Sequence, residues 1–569
     1  VVEVAGEGAS PKQPATEAPK VGVLLCDCGG EIGSCLNLQA LAEEAERWSE
    51  VGYAKVVDGL CQAANASLLA EAAGGNGVDR LVLGVCARRR VEEPLQVMAK
   101  EAGLNPQLLE LVNLREQVAW VHGGDLPAAD RKAEGLIGMA VAKLAKAQLV
   151  VQSMTEIPAS ALVVGGGVAG LVAATELADH GVEVWLAERD AALGGDLSQV
   201  KSNGSAEERL LIDLVRQAET NDLVHVMMGA EVTGVTGHLG AFQSSVVVGD
   251  ESQQLSHGLV VLATGAEEVQ PGGYLLGEHP GVITQTQLEQ RLAEGNGWAR
   301  EHKSVAMMLC AGSLEEGRNY CSRTCCSQAV ANALRVKQQN PEASVYVLHR
   351  EMRTYGFFEQ QYEAARRAGV IFLRYDGDLR PKVSAAGDAL AIAVGEPRLG
   401  ESISLRADAL VLAVGVQPRQ VESLVKPLGV GVDEHGFLVE TNVKTRSTEA
   451  KRAGVFLCGS CQGPKSLADT MVHAKAAAMR AVALLSEGPT ETPATRPSVN
   501  TRICSGCGLC VEACAYGARV LDLEKNVSNL VEVLCQGCGA CAAVCPNGTT
   551  QQAGFTGSQM LALLDVAAD

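Results

Sequence analysis

Short apolar runs alternate with longer Ala- and Leu-rich stretches along most of the chain, the rhythm of strands and helices packed in α/β layers. Between residues 21 and 152, "VGVLLC" and "RLVLGVC" read as strands, and "KAEGLIGMAVAKLAKAQLV" reads as a long helix closing a small α/β domain. From residue 158, strand "ALVV", helix "LVAATELADHG" and strand "VEVWLAE" form a βαβ unit, with further strands at "LVVLATGA", "SVAMML", "ASVYVLHRE" and "ALVLAVGVQP". Residues 1–20 lack apolar periodicity and are expected to be a disordered tail. Residues 487–499, rich in Pro, Thr and Glu, are expected to be a semi-extended linker. Beyond it, "SQMLALLDVAAD" has the pattern of a short amphipathic helix.

Length and cysteine content sharpen this picture. A chain of 569 residues exceeds what one core supports, so several domains are expected. Nineteen cysteines without an apolar secretory leader point to metal or cluster ligation rather than a disulfide framework. The formal charge of -20, with "ARRR" at Arg88 to Arg90 the only compact basic run, argues against nucleic acid. Apolar segments break before the roughly 20 residues that cross a bilayer, so no direct membrane insertion is expected and the chain reads as cytoplasmic.

The βαβ unit carries specific chemistry. Gly165, Gly167 and Gly170 give G-x-G-x-x-G between strand and helix, with Val168 and Ala169 opening the helix. Such a turn lets backbone N–H groups reach a pyrophosphate at the positive helix end. Glu188, about 20 residues on, and Arg189 follow the second strand, where a carboxylate can hold a ribose hydroxyl. The later Gly194-Gly195 and Thr264-Gly265-Ala266 resemble recurring elements of thioredoxin-reductase-type flavoproteins, which favours FAD over NAD. In "GVFLCGSCQGPKSLADTMVHAKAAAMRAVALL", which resembles the return to the FAD domain, Gly459-Ser460 stands where Gly-Asp is usual. The resemblance divides the flavoprotein into 158–300 and 407–486, with an inserted Rossmann-like unit at 301–406. That insert has no G-x-G-x-x-G, so pyridine nucleotide at the usual site is not expected.

Two cysteine patterns carry the rest. "CSGCGLCVEAC" and "CQGCGACAAVCP" repeat C-x2-C-x2-C-x3-C, the spacing of a two-cluster bacterial ferredoxin, within residues 500–569. One 4Fe-4S cluster would take Cys504, Cys507, Cys510 and Cys545, the other Cys535, Cys538, Cys541 and Cys514; zinc knuckles and disulfides are the blander alternatives. Inside the insert, Cys310, Cys321, Cys325 and Cys326 form C-x10-C-x3-C-C, suited to a cluster or a tetrahedral zinc site. In the N-terminal domain, Cys26, Cys61 and Cys86 follow or end strand-like runs near Cys28 and Cys35, and read either as a further cluster or as small buried thiols.

With "CAGSLEEGRNYCSRTCC", "MRTYGFFEQQYEAARRAGVIFLR", "CQGPKSLADT", "CDCGG" and "LNPQLLELVNLREQVAWVH", the chain resembles the A-type iron-sulfur flavoprotein of heterodisulfide reductase from residue 21 onward. The resemblance implies FAD, a 4Fe-4S cluster on the Cys310 to Cys326 set, and a ferredoxin module relaying electrons to partner subunits. It also implies B- and C-type subunits, a hydrogenase- or dehydrogenase-type donor, a homodimer, and flavin-based electron bifurcation in complete complexes. The methanogen form has an additional ferredoxin insertion that would fall near residues 240–257, where this chain has no cysteine.

Cys458 and Cys461 form "CGSC", which supports a rival reading as an NAD(P)H-dependent disulfide oxidoreductase. A scaffold with a vestigial flavin is a second rival. Lys465 is a candidate flavin contact, since a cation near the ring stabilises its reduced, anionic form. The ten histidines, His473 included, form no metal or acid-base motif.

Overall fold

The computed structural model describes residues 20–568 apart from 75–77, 150–151, 153, 200–204, 296, 377–378 and 397–399; all but the last residue of the expected tail lies outside them. The chain forms two compact units, Val1–Ser153 with Glu491–Asp569, and Met154–Thr490.

In the first unit, strands Val51–Val57, Lys20–Cys26, Val78–Val85 and Leu109–Asn113 lie in that spatial order, all parallel. Helices cover both faces, which is why Val21, Val23, Leu24 and Leu25 are all buried and the strand reads as a continuous apolar run. The chain moves to one side from the first strand and to the other for the third, so the carboxyl ends of Lys20–Cys26 and Val78–Val85 flank a topological switch point, where open α/β sheets bind ligands.

The Cys-rich module belongs to this same unit. Its hairpin Arg519–Asp522/Val527–Leu530 and the pair Pro497–Val499/Thr550–Gln552 frame two short helices, Leu509–Glu512 and Ala540–Ala543. Helix Gly557–Ala568 packs against Leu126–Ala145: Val566 meets Gly138, and the Lys143 ammonium lies 4.6 Å over the Phe555 ring. The expected linker is not a free tether. Thr492 is buried, its carbonyl accepts from Gln152 at 2.7 Å, and Arg496 pairs with Glu532. Pro-rich composition describes a solvated spacer equally well; long-range partners decide otherwise here.

The second unit holds two five-stranded parallel sheets. One runs Val455–Leu457, Leu259–Leu262, Ser160–Val164, Glu183–Glu188, Val224–Met228, with the antiparallel meander Ala230–Thr236, Phe242–Val248, Glu251–His257 packed on it. The other runs Val282–Thr284, Ala409–Val414, Ser304–Ala311, Ser344–His349, Ile371–Arg374. The inserted unit therefore exceeds 301–406. Strand Val282–Thr284, helix Gln285–Glu294 and strand Ala409–Val414 belong to its sheet, and the first sheet resumes only at Val455. Ala409–Val414 is buried on both faces, so its apolar run reads alike in either sheet. The antiparallel pair Ala266–Glu268/Val416–Pro418 joins the two.

Candidate functional site

At the switch point of the first sheet the glycine turn is built by exclusion. Gly165 has φ +107°, and a Cβ on Gly170 would stand 1.7 Å from the Gly165 carbonyl oxygen. Gly167, the N-cap of helix Val168–Asp179, faces open space, its nearest would-be contact the Gly195 Cα at 3.9 Å. Backbone amides at a positive helix end, with no side chain before them, fit a pyrophosphate. Glu188 buttresses the turn: its carboxylate accepts from Gly166 N at 2.5 Å and Asp190 N at 2.8 Å. It still lines the cavity, where a further lone pair can meet a ribose hydroxyl.

That cavity, about 650 Å³, is lined by Gly165, Gly167, Val168, Ala169, Glu188, Arg189, Gly194, Gly195, Thr264, Gly265 and Lys465, so nearly every sequence-selected residue opens onto one space. Gly170 and Gly459 act from behind it. Gly459, φ +77°, lets its loop approach the Ala169 methyl to a distance that leaves no room for a Cβ. On the far wall stand Ser322, Arg323, Thr324 and Ser327 of the inserted unit, with Tyr355, whose hydroxyl reaches Asp469 at 3.5 Å. Lys465 is partly buried, and desolvation lowers its pKa against the pull of the Cys461 thiol.

The Cys310 to Cys326 loop occupies the switch point of the second sheet. A bulge after Met308 breaks pairing with Ala409–Val414, and Cys310 takes the left-handed conformation at φ 61°. Cys325 and Cys326 open the helix Cys325–Gln339, the thiols near Val414 O and Glu351 O at 3.8 Å each. Burial, then the neighbouring Cys326 and Cys321 thiols, push Cys310 up to about 11; burial and the same crowding push Cys325 higher still. Cys310, Cys325 and Cys326 are buried and Cys321 is half-buried, and crowded thiols of this kind suit a metal that would displace their protons. Arginines stitch the loop: Arg318 donates to Gly312 O at 2.9 Å, while Arg350 and Arg380 donate to Leu314 O at 2.7 and 2.9 Å. Residues 322–324 thus separate the cavity from the cysteines by a few side chains.

Cys458 and Cys461 do not join this space. Both are fully buried, Cys461 donates to Cys458 O at 3.1 Å and Leu262 O at 3.4 Å, and burial raises both thiols, Cys461 to about 11. A redox dithiol needs an accessible thiolate. Their burial and their hydrogen bonds to backbone carbonyls instead suit packing.

In the first unit, Cys26 and Cys86 stand at the switch point of their sheet, with Cys61 beside Cys86. The structure adds Cys28 to the tentative set: it interacts with both Cys26 and Cys86, and Arg115 donates to its Sγ at 3.7 Å. The C-x-C spacing of Cys26 and Cys28 was the available signal. Cys35 lies beside Gly123 instead.

The ferredoxin-pattern cysteines fall into two groups. Cys504, Cys507, Cys510 and Cys545 line one cavity; Cys514, Cys535, Cys538 and Cys541 line another, so each run lends its last cysteine to the other. Among the described residues, no three His, Cys, Asp or Glu converge tightly enough for a single ion; each set surrounds a space instead. At Cys545 burial works upward, yet hydrogen bonds from the Thr549 hydroxyl and the Thr550, Thr549 and Asn547 amides hold the thiol at about 7.

Comparison with known proteins fits this geometry. Residues 159–481 match the pyridine nucleotide-disulphide oxidoreductase family. The chain belongs to this family. Residues 496–546 of this oxidoreductase also match the 4Fe-4S dicluster domain. It is similar to the iron-sulfur A subunit of CoB–CoM heterodisulfide reductase from Methanocaldococcus jannaschii, 28% identical over 96% of this chain and 98% of that protein. The A subunit of H(2):CoB-CoM heterodisulfide,ferredoxin reductase from Methanothermobacter marburgensis is 28% identical over 98% and 99%. The first alignment runs over 651 residues, longer than this chain, so that relative carries segments without counterpart here. Lactococcus lactis thioredoxin reductase covers 58% of this chain and 99% of its own at 19% identity and TM-score 0.42, a level that carries no functional argument. The chain is thus a flavin- and iron-sulfur-type electron-transfer oxidoreductase, resembling the A subunit of heterodisulfide reductase.

Proposed function

We propose that this chain is the flavoprotein subunit of a cytoplasmic heterodisulfide-reductase-type complex, passing electrons between a flavin cavity and three or four cysteine-held clusters. The observation that carries the reading is the shared wall at residues 322–324, where the dinucleotide cavity meets the Cys310 to Cys326 set. FAD would be held by the Gly165 turn, Glu188, Thr264 and Lys465, and when bound it exchanges electron pairs for single electrons. The glycine amides orient its pyrophosphate, Glu188 fixes the ribose, and Lys465 offers positive charge where reduction adds negative charge. Cys310, Cys321, Cys325 and Cys326 would hold one 4Fe-4S cluster, the two ferredoxin sets two more, and Cys26, Cys28, Cys61 and Cys86 a fourth.

The donor is of hydrogenase or dehydrogenase type, B- and C-type subunits receive the electrons, and the flavoprotein pairs as a homodimer. Among the described residues no helix is long and apolar enough to cross a membrane. Residues 242–257 form a plain β-hairpin without cysteine, where the methanogen form has its additional ferredoxin insertion, and this supports relay as the simpler role. Anaerobic purification with flavin and iron assay tests the reading: one FAD and about twelve to sixteen irons per chain are expected. Stoichiometric reduction by NADH of the isolated chain, abolished in Cys461→Ser, would restore the dithiol reading.

A further inference from the structure

Arg519 has no partner equal to its charge. It opens the strand Arg519–Asp522, is 2% exposed, and its Nε and Nη1 have no hydrogen-bond acceptor. Its Nη2 alone is engaged, donating to Cys510 Sγ at 3.8 Å. A buried, unpaired guanidinium is among the most destabilising features a fold can carry, and buried donors without acceptors call for a missing partner. Two facts locate that partner. Cys510 belongs to the first ferredoxin set, while Arg519 itself lines the cavity of the second, beside Cys535 and Cys541. One guanidinium therefore touches a cysteine of the first set and lines the cavity of the second, with no carboxylate among the described residues to neutralise it.

We infer that Arg519 is a positioning residue shared by the two ferredoxin-type sites, its cation and free N–H groups directed at the anionic sulfur of both. This rests on the reading that those cysteines hold clusters. An electron arriving at either set would add one negative charge beside the same cation, so Arg519 would raise both reduction potentials. Hydrogen bonds to cluster sulfur and local charge are recognised determinants of such potentials.

The test is an EPR-monitored redox titration of the anaerobically purified full chain and of R519M, R519Q and R519K. Met fills the guanidinium's space without charge, Gln keeps donors without charge, and Lys keeps charge. Expected is a roughly tenfold shift toward the oxidised form at fixed potential in R519M for both ferredoxin clusters, equivalent to 59 mV for a one-electron couple. R519K should stay near the parent, and the flavin should not move. Full iron with unshifted potentials in R519M, or a shift confined to one cluster, would overturn the inference. Loss of iron from both neutral variants but not R519K supports it; loss from all three overturns it in favour of a packing role. A parent chain with no cluster at either set would instead sink the ferredoxin reading.

Discussion

Gly167 and Gly170 lie three residues apart in one turn and should fail for different reasons when given a methyl group. In Gly170→Ala the new Cβ falls 1.7 Å from the Gly165 carbonyl oxygen, half an ordinary contact, and that oxygen is pinned between a strand end and a helix start. The turn has to open, at a loss of about 3 kcal/mol or more of fold stability even without cofactor. Gly167 has φ -70°, which alanine adopts freely, and its nearest would-be neighbour is 3.9 Å away, so Gly167→Ala should leave flavin-free stability within about 0.5 kcal/mol of the parent. Its methyl instead enters the cavity where the pyrophosphate approaches. Overpacking there by about 1–3 kcal/mol weakens FAD roughly five- to 150-fold. Thermal unfolding of deflavinated protein and fluorescence titration with FAD separate the two effects. Parental FAD affinity within a factor of two in Gly167→Ala would refute the placement of the dinucleotide on this turn.

Three further outcomes are expected. Burial holds the His257 imidazole at about 4 instead of 6.5, with Nδ1 donating to Leu259 O and Nε2 accepting from Ser244, so the unfolded chain binds the extra proton between those values. The stability this neutral ring supports is complete above pH 6.5 and declines toward pH 4 by about 3 kcal/mol; urea titrations at pH 7 and 5 should show the fall, and His257→Gln should flatten it. Cys545→Ser and Cys504→Ser should each remove about four irons, and the double variant no more than either, whereas Cys545→Ser with Cys541→Ser should remove about eight; equal loss in both doubles contradicts the crossed sets. Cys461→Ala should leave flavin-to-iron electron transfer near the parental rate, and a tenfold loss would return that thiol to the chemistry.

What could be read from the chain alone follows how local each determinant is. The Gly165 turn and the ferredoxin cysteines are legible because phosphate loops and cluster loops are made by consecutive residues with fixed spacing. The edge of the inserted unit is not, because Ala409–Val414 is equally apolar in either sheet and only its neighbours decide. Thr492 escapes notice for the same reason: its burial depends on Gln152, 340 residues away in sequence. Arg519 is the hardest case. In "GARVLDLEKN" it reads as one more surface charge, and only the fold reveals that nothing neutralises it.

The first unit draws on both ends of the segment it brackets, and this bears on how the protein is made. Met154–Thr490 holds both its sheets within one continuous stretch and can complete its core as soon as it leaves the ribosome. The helix Leu126–Ala145 that covers the N-terminal sheet, although translated earlier, lacks its partner Gly557–Ala568 until synthesis has passed the second cysteine run. The first unit is therefore the last to be completed, although its sheet is the first to be translated.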